Sequence, residues 1–259
     1  MDTKQQGFRL GLLRKITKGL PMALLAPFAA WGLAEVPLDP APLKLNDQVA
    51  LQRGAQTFVN YCLSCHSAAH MRYNRLTDLG LTEQQIKDNL LFAADKVGET
   101  MTVAMKPQDA KAWFGAPPPD LTVIARSRGA DWLYTYMRGF YRDDSRPTGW
   151  NNLVYENVGM PHPLYELQGM QVLEAGKPAA GESHGDEGHA IKKLKLRQPG
   201  KLTPLEYDNL TADLVSYLVY MGEPARNFRI KLGIFVLFFL AVLFVSAYAL
   251  KREYWKDVH

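Results

Sequence analysis

The chain's only two cysteines stand three residues apart, with a histidine directly behind the second: Cys62-Leu63-Ser64-Cys65-His66. Two thiols at this spacing can add across both vinyl groups of one porphyrin. The adjacent imidazole then reaches the iron from the same face. Chance gives this arrangement in roughly one of several thousand chains with two cysteines. Two other chemistries use Cys-x-x-Cys. A redox dithiol wants a βαβ setting, and the helical pattern ahead of Cys62 does not supply one. A zinc site wants further Cys or His nearby. The spacing therefore predicts one covalently attached c-type haem, with His66 on its iron.

The second axial position decides what such an iron does. Held by His and Met, iron is six-coordinate and carries electrons, and the thioether raises its potential; an open position points to ligand binding or peroxide chemistry. Met71 and His70 lie too close to the attachment site to reach the opposite face easily. Met137 and Met221 sit in helical patterns, where packing is the expected role. Met101, Met105, Met170, His184 and His189 remain without a distinguishing context. Met160 lies in Asn157-Val158-Gly159-Met160-Pro161-His162-Pro163, a non-helical loop stiffened by two prolines, which can present a ligand at low ordering cost. His162 is its main rival.

The elements that must position these residues fall between 35 and 225, 191 residues that suffice for one sizeable core. After a Pro-rich lead-in from Glu35 to Leu45, Asp47 can cap a helix starting near Gln48. Leu51, Gly54, Ala55, Phe58 and Cys62 mark its buried face. Thr203-Pro204-Leu205-Glu206 is a capping box with proline in the first helical position. The stripe Tyr207, Leu210, Leu214, Tyr217, Leu218, Met221 follows, and Gly222 and Pro224 stop it. These two helices are expected to pack on each other, with Gly54 allowing close approach. Thr82 to Ala94 and Asp131 to Phe140 read as helices. Pro117-Pro118-Pro119 must be extended. Asp143 to Asn152 reads as loop. Gly176 to Gly200 is polar, with a strand pair around it, and Lys192, Lys193, Lys195 and Arg197 alternate with Leu194 and Leu196 as in an exposed strand. His184 and His189 lie in that Gly-rich stretch with Glu182, Asp186 and Glu187, and a solvated loop is the simplest reading. Tyr134, Tyr136, Tyr141 and Trp150 read as core and pocket wall. There is no internal repeat.

Both ends differ from this body. Lys4, Arg9, Arg14, Lys15 and Lys18 precede a short apolar stretch ending at Gly32-Leu33-Ala34, a secretory signal pattern with cleavage expected after Ala34. Leu232 to Leu250 is 19 residues without a charge. At about 1.5 Å per residue such a helix crosses the hydrocarbon core of a bilayer. Each end, 1–34 and 226–259, carries a net +4, which leaves the body at −4 although the whole chain is +4. A mildly acidic body gives no indication of nucleic-acid binding. Three basic residues flank the span on each side, so charge alone does not orient it; the export signal does. The body is expected to be exported, with the tail from Lys251 in the cytoplasm.

Beyond the haem motif, the sequence closely resembles the cytochrome c1 family, haem subunits of quinol:cytochrome c oxidoreductase. The resemblance rests on Arg53-Gly54 and Phe58 ahead of Cys62–Ser67, then Tyr73 and Arg75. It continues with Gly115, Pro118-Pro119-Asp120-Leu121, Ala125-Arg126-Ser127-Arg128-Gly129 and Asp131. It closes with Gly159-Met160-Pro161, Leu164-Tyr165, the helix from Thr203 and the single C-terminal span. It implies a mostly α, cytochrome c-like haem domain with long loop insertions, plus one C-terminal transmembrane helix. It implies His66 and Met160 as axial ligands, Arg126 beside a haem propionate, and Pro119 packed near the haem. The implied partners are cytochrome b, the Rieske iron–sulfur protein and a soluble c-type cytochrome. The lack of a long bipartite presequence suits a bacterial member, and the Met105–Gly115 loop is shorter than in mitochondrial ones. Such a subunit passes electrons and is not itself an enzyme. The competing functions are a free-standing membrane-tethered cytochrome c, a haem peroxidase and a haem-based gas sensor.

Overall fold

The structure is a computed structural model that describes residues 36–175 and 192–257. The expected signal segment and the His184/His189 loop lie outside the described residues.

Helix α1, Gln48–Tyr61, begins where Asp47 accepts a hydrogen bond from the Ala50 amide at 3.1 Å. Helix α7, Pro204–Gly222, opens with the complete Thr203/Glu206 capping box. The two pack together around Gly54, where a Cβ would stand 2.2 Å from the Asp213 carbonyl oxygen and 2.7 Å from the Tyr217 Cβ. Only glycine lets the backbones approach this closely. Phe58 and Tyr217, both fully buried, meet at this crossing with ring centroids 5.7 Å apart.

The buried Asp213 carboxylate joins the lead-in to both helices. It accepts from Lys44 Nζ at 2.9 Å and Arg53 Nε at 2.7 Å. Helix α5, Ala130–Arg138, holds the same lead-in from the other side. There Arg138 pairs with Asp39 and Asp208, each at 2.6 Å, and Thr135 Oγ1 accepts from the Asp39 amide. Tyr207 reaches from α7 to donate to the Met137 carbonyl at 2.8 Å.

The remaining elements are short. A 3-10 helix spans Tyr73–Leu79, with α2 at Glu83–Asn89, α3 at Pro107–Phe114, α4 at Ile124–Arg128 and α6 at Tyr165–Gln168. Among the described residues the strands form three separate antiparallel pairs: β1 (Ala68–Arg72) with β2 (Thr100–Met101), β3 (Phe140–Arg142) with β4 (Trp150–Asn152), and β5 (Gly169–Ala175) with β6 (Lys192–Pro199). The expected pair around 176–200 is this last ribbon. The fold is mostly α with long connections, as expected.

Besides the helix read over Asp131–Phe140, which ends at Arg138 so that Phe140 opens β3, three segments differ from their reading in the sequence. Helix α2 stops at Asn89 rather than Ala94; the Asn89 side chain donates to the Gln85 carbonyl at 2.8 Å, a local bond that competes with continued winding. The Met105–Gly115 stretch contains a helix, opened by Pro107 in its first turn and closed by left-handed Gly115 at φ 83°. The end of the 143–152 loop is a strand, with Phe140 opposite Asn152 and Arg142 opposite Trp150.

Helix α8, Arg226–Tyr254, follows α7 after three residues. Its segment Phe228–Tyr254 is long and apolar enough to cross a membrane, and none of its most apolar window is buried against the protein. A run of exposed Leu, Phe, Val and Ile of this length suits lipid as its solvent.

Candidate haem site

The Cys-x-x-Cys-His segment is the winding-down of α1. The Cys62 amide still donates to Phe58 O at 2.9 Å; the Cys65 and His66 amides then turn back to Cys62 O at 3.1 and 2.8 Å. This tight turn keeps both thiols and the imidazole together. Both cysteines are unpaired, Cys62 buried and Cys65 half-buried. Burial, then the neighbouring Cys65, pushes the Cys62 thiol up to about 12. A redox dithiol needs the opposite, a thiolate stabilised near neutral pH. Among the described residues no group of three or more His, Cys, Asp or Glu is placed to hold a metal ion.

His66 is 9% exposed, and its Nδ1 lies 2.8 Å from the Pro119 carbonyl oxygen. With Nδ1–H donating there, Nε2 keeps its lone pair. Burial lowers the imidazole pKa against the opposing pull of the Pro119 hydrogen bond and of Asp120, so the ring is neutral, the form that binds iron.

The acceptor is itself held. Three consecutive prolines keep 117–119 extended. Next to them, Asp120 accepts from the Ala69 amide at 2.7 Å and the Thr122 amide at 2.8 Å, and the Leu121 amide donates to Ser67 O at 2.8 Å. The segment that orients His66 is thus stitched to the residues just after the cysteine motif.

Met160 lies in a non-helical loop, half-buried against the core. Asn157 enters it at φ 62°, a left-handed conformation that asparagine tolerates, with its amide donating to Asn151 Oδ1 at 2.8 Å. Arg146 holds the Asn157 side chain and carbonyl, each at 3.1 Å. A Cβ on Gly159 would approach the Phe114 carbonyl oxygen at 3.1 Å. One segment, 114–119, therefore touches the Met160 loop at one end and His66 at the other. On the inner side of the loop, Tyr136 Oη stands 3.5 Å from the Met160 Sδ.

His162 points elsewhere. It is 2% exposed, stacks on Phe140 with centroids 4.7 Å apart, meets Trp150 edge-on and donates through Nε2 to Gln168 Oε1 at 2.7 Å. Burial pushes its pKa down to about 4. Its role here is to anchor the loop two residues beyond Met160. An open groove of about 530 Å³ beside β5 and β6 is lined by Arg142, Trp150, Tyr165 and Lys201 among others, and contains none of the cysteines, His66 or Met160.

Arg126 sits exposed on α4 and makes no ion pair among the described residues. Its stem lies along α7, where a Cβ on Gly222 would meet Arg126 Cγ at 3.4 Å. Pro119 contributes its carbonyl to His66. Two contacts escaped the sequence: Tyr136 on the Met160 sulfur and Asp120 on the strand after the motif. Proline spacing hints at the second; nothing in the sequence singles out Tyr136 from other core tyrosines.

Two unpaired thiols, a neutral imidazole with Nε2 unengaged and a thioether on a braced loop form a donor set that fits haem c. Residues 40–183 match the model of the Cytochrome C1 family. The chain belongs to the cytochrome c1 family. It is 49% identical to a cytochrome c1 of Allochromatium vinosum, across 91% of this chain and 96% of that one. It is 30% identical to a cytochrome c1 of Rhodospirillum rubrum, across 82% and 83% of the two chains. It is also 48% identical to a protein named ammonia monooxygenase gamma subunit from Nitrosomonas europaea, across 95% of this chain and all of that one. As a cytochrome c1 the chain is an electron-transfer protein with one covalently attached haem c, anchored in the membrane by its C-terminal helix.

Proposed function

We propose that the chain relays electrons from a Rieske iron–sulfur protein to a soluble c-type cytochrome within a quinol:cytochrome c reductase, beside cytochrome b. The observation that carries this reading is the His66 setting: a buried, neutral imidazole aligned by the Pro119 carbonyl in a family built for electron transfer. When bound, haem c supplies a one-electron couple. Cys62 and Cys65 would tether it, and His66 and Met160 would supply the nitrogen and sulfur that hold its iron. The His66 ring is held in one orientation because its Nδ1–H is anchored to a segment that Asp120 pins, which would keep it fixed toward a bound iron. The Met160 loop, held at Asn157 and His162, keeps the thioether in place. Fixed ligands minimise rearrangement during a redox step. Arg126, without a carboxylate partner among the described residues, is available to pair with a propionate.

The body lies outside a bacterial inner membrane, with the tail from Lys251 in the cytoplasm. Residues 1–34 serve as the export signal, 35–225 as the haem domain and 226–259 as anchor and tail. The net −4 of the body suits a basic mobile acceptor held by a salt-sensitive contact. Two experiments test this. Gentle detergent extraction should bring cytochrome b and the Rieske protein along with the chain; purification alone, with activity intact toward another oxidoreductase, would favour a free-standing tethered cytochrome. Turnover with the soluble acceptor should fall as ionic strength rises, and a flat response removes electrostatic docking.

A further inference from the structure

We propose that Tyr136 is a positioning residue for the Met160 thioether: its hydroxyl donates to Sδ, selects the sulfur lone pair left for iron and sets the donor strength of that sulfur. The inference rests on Met160 being the axial ligand.

The contact stands at 3.5 Å, within reach for a hydroxyl donating to sulfur. Tyr136 is 8% exposed, so its hydroxyl has little access to water, and Sδ is its one hydrogen-bond partner among the described residues. A buried donor keeps the partner it has. The ring cannot swing away. It stacks on Trp132 with centroids 4.7 Å apart at 11°, and meets Phe140 edge-on at 5.1 Å. The Arg128 guanidinium lies over the outer face of the stack, 5.2 Å from the Trp132 ring.

The loop that carries the sulfur is fastened to the same helix. Asn152 Nδ2 donates to the Tyr136 carbonyl at 2.8 Å, and its Oδ1 accepts from the Val154 amide at 2.9 Å and the Tyr155 amide at 3.2 Å. Asn151 then holds the Asn157 amide. Donor and acceptor are therefore both referenced to one residue's backbone, and the hydroxyl–sulfur contact closes a ring of hydrogen bonds. A thioether sulfur has two lone pairs. With one engaged by Tyr136, the other is left to a metal in a defined direction.

The bond also has an electronic consequence. Drawing density from the sulfur makes it a weaker donor, which disfavours the oxidised, electron-poor iron more than the reduced one. Tyr136 thus holds the potential up.

The test uses the full haem-loaded chain in detergent with Tyr136→Phe, which keeps the ring and its stacking. The expected result is a lower midpoint potential. The ratio of reduced to oxidised protein at fixed ambient potential should fall roughly three- to tenfold, the range of one hydrogen bond. That is about 30 to 60 mV for one electron, at about 59 mV per tenfold. The far-red thioether-to-iron charge-transfer band of the oxidised protein should shift with it. Tyr207→Phe serves as control: it also removes a buried hydroxyl donor, from the Met137 carbonyl, and should leave band and potential in place. In a Met160→Leu background, Tyr136→Phe should shift the potential no further. An unchanged band and potential in Tyr136→Phe, or a full additive shift in the Met160→Leu background, overturns the inference while leaving Met160 as ligand. A wild-type protein without the charge-transfer band overturns both.

Discussion

Gly54→Ala tests the crossing that aims the cysteine motif. An added Cβ would lie 2.2 Å from the Asp213 carbonyl oxygen and 2.8 Å from its carbonyl carbon, both backbone atoms in the middle of α7. No side-chain rotation relieves this. Reaching ordinary contact near 3.4 Å requires the helices to separate by about 1 Å, and a gap of that size forfeits a quarter to a half of the dispersion energy across the interface. Leu51, Phe58, Leu214 and Tyr217 all pack in this region of the core and are nearly or fully buried. Overpacking of this kind costs about 3 kcal/mol or more, against a gain of about 1 kcal/mol from replacing a helical glycine. The net loss is about 2–3 kcal/mol, or roughly 5–10 °C in Tm for a domain of this size. Thermal unfolding of the haem-loaded protein, followed by circular dichroism, measures it. Gly233→Ala is the comparison, since a Cβ there meets nothing within 4 Å. A Gly54→Ala protein as stable as wild type would show that the crossing is looser than its geometry implies.

Met160→Leu should lower the potential sharply and open the iron to external ligands while haem stays attached; an unchanged potential by redox titration would move the ligand to another residue. Asp213→Asn should cost about 1–2 kcal/mol, because two charge-assisted bonds are lost but Lys44 and Arg53 are exposed enough to rehydrate. Denaturant titration in a double-mutant cycle with Arg53→Met reads that coupling. Asp120 titrates in the acid range: burial raises its pKa, but hydrogen bonds from the Thr122 hydroxyl and the Ala69 and Thr122 amides, with His70 nearby, outweigh burial and hold it below the usual carboxylate value. Its stabilisation is therefore full above about pH 4 and is lost as pH falls through the depressed value. Asp120→Asn should flatten that part of the acid unfolding curve; a curve identical to wild type would remove the role assigned to this carboxylate.

What the sequence made legible was whatever local chemistry decides alone. Cys62, Cys65 and His66 carry their reaction in their spacing. Asp47 and Thr203 announce helix starts, and the apolar run from Leu232 has one good solvent. Gly54 stood out because a glycine in an apolar stripe needs a close neighbour, though only the structure identifies that neighbour as Asp213. The rest depends on contacts distant in sequence. The pairing of Phe140 with Asn152 gives no alternation in strands of three residues. Helix α3 is too short for periodicity to show. Met160 and His162 share one proline-braced loop, so spacing alone does not rank them; in the fold His162 is buried against Phe140, Trp150 and Gln168, whereas the Met160 sulfur meets Tyr136.

Ligation by both His66 and Met160, as proposed above, would make the haem a carrier of electrons rather than a binder of small ligands, and one titration addresses it. The full chain in mild detergent is reduced stepwise under anaerobic conditions, its visible spectrum followed throughout, and carbon monoxide is added at the reduced end. A single one-electron transition, low-spin bands in both states and no spectral change with carbon monoxide are expected. A high-spin reduced form that binds carbon monoxide rapidly would contradict ligation by both His66 and Met160, and with it the assignment as an electron relay.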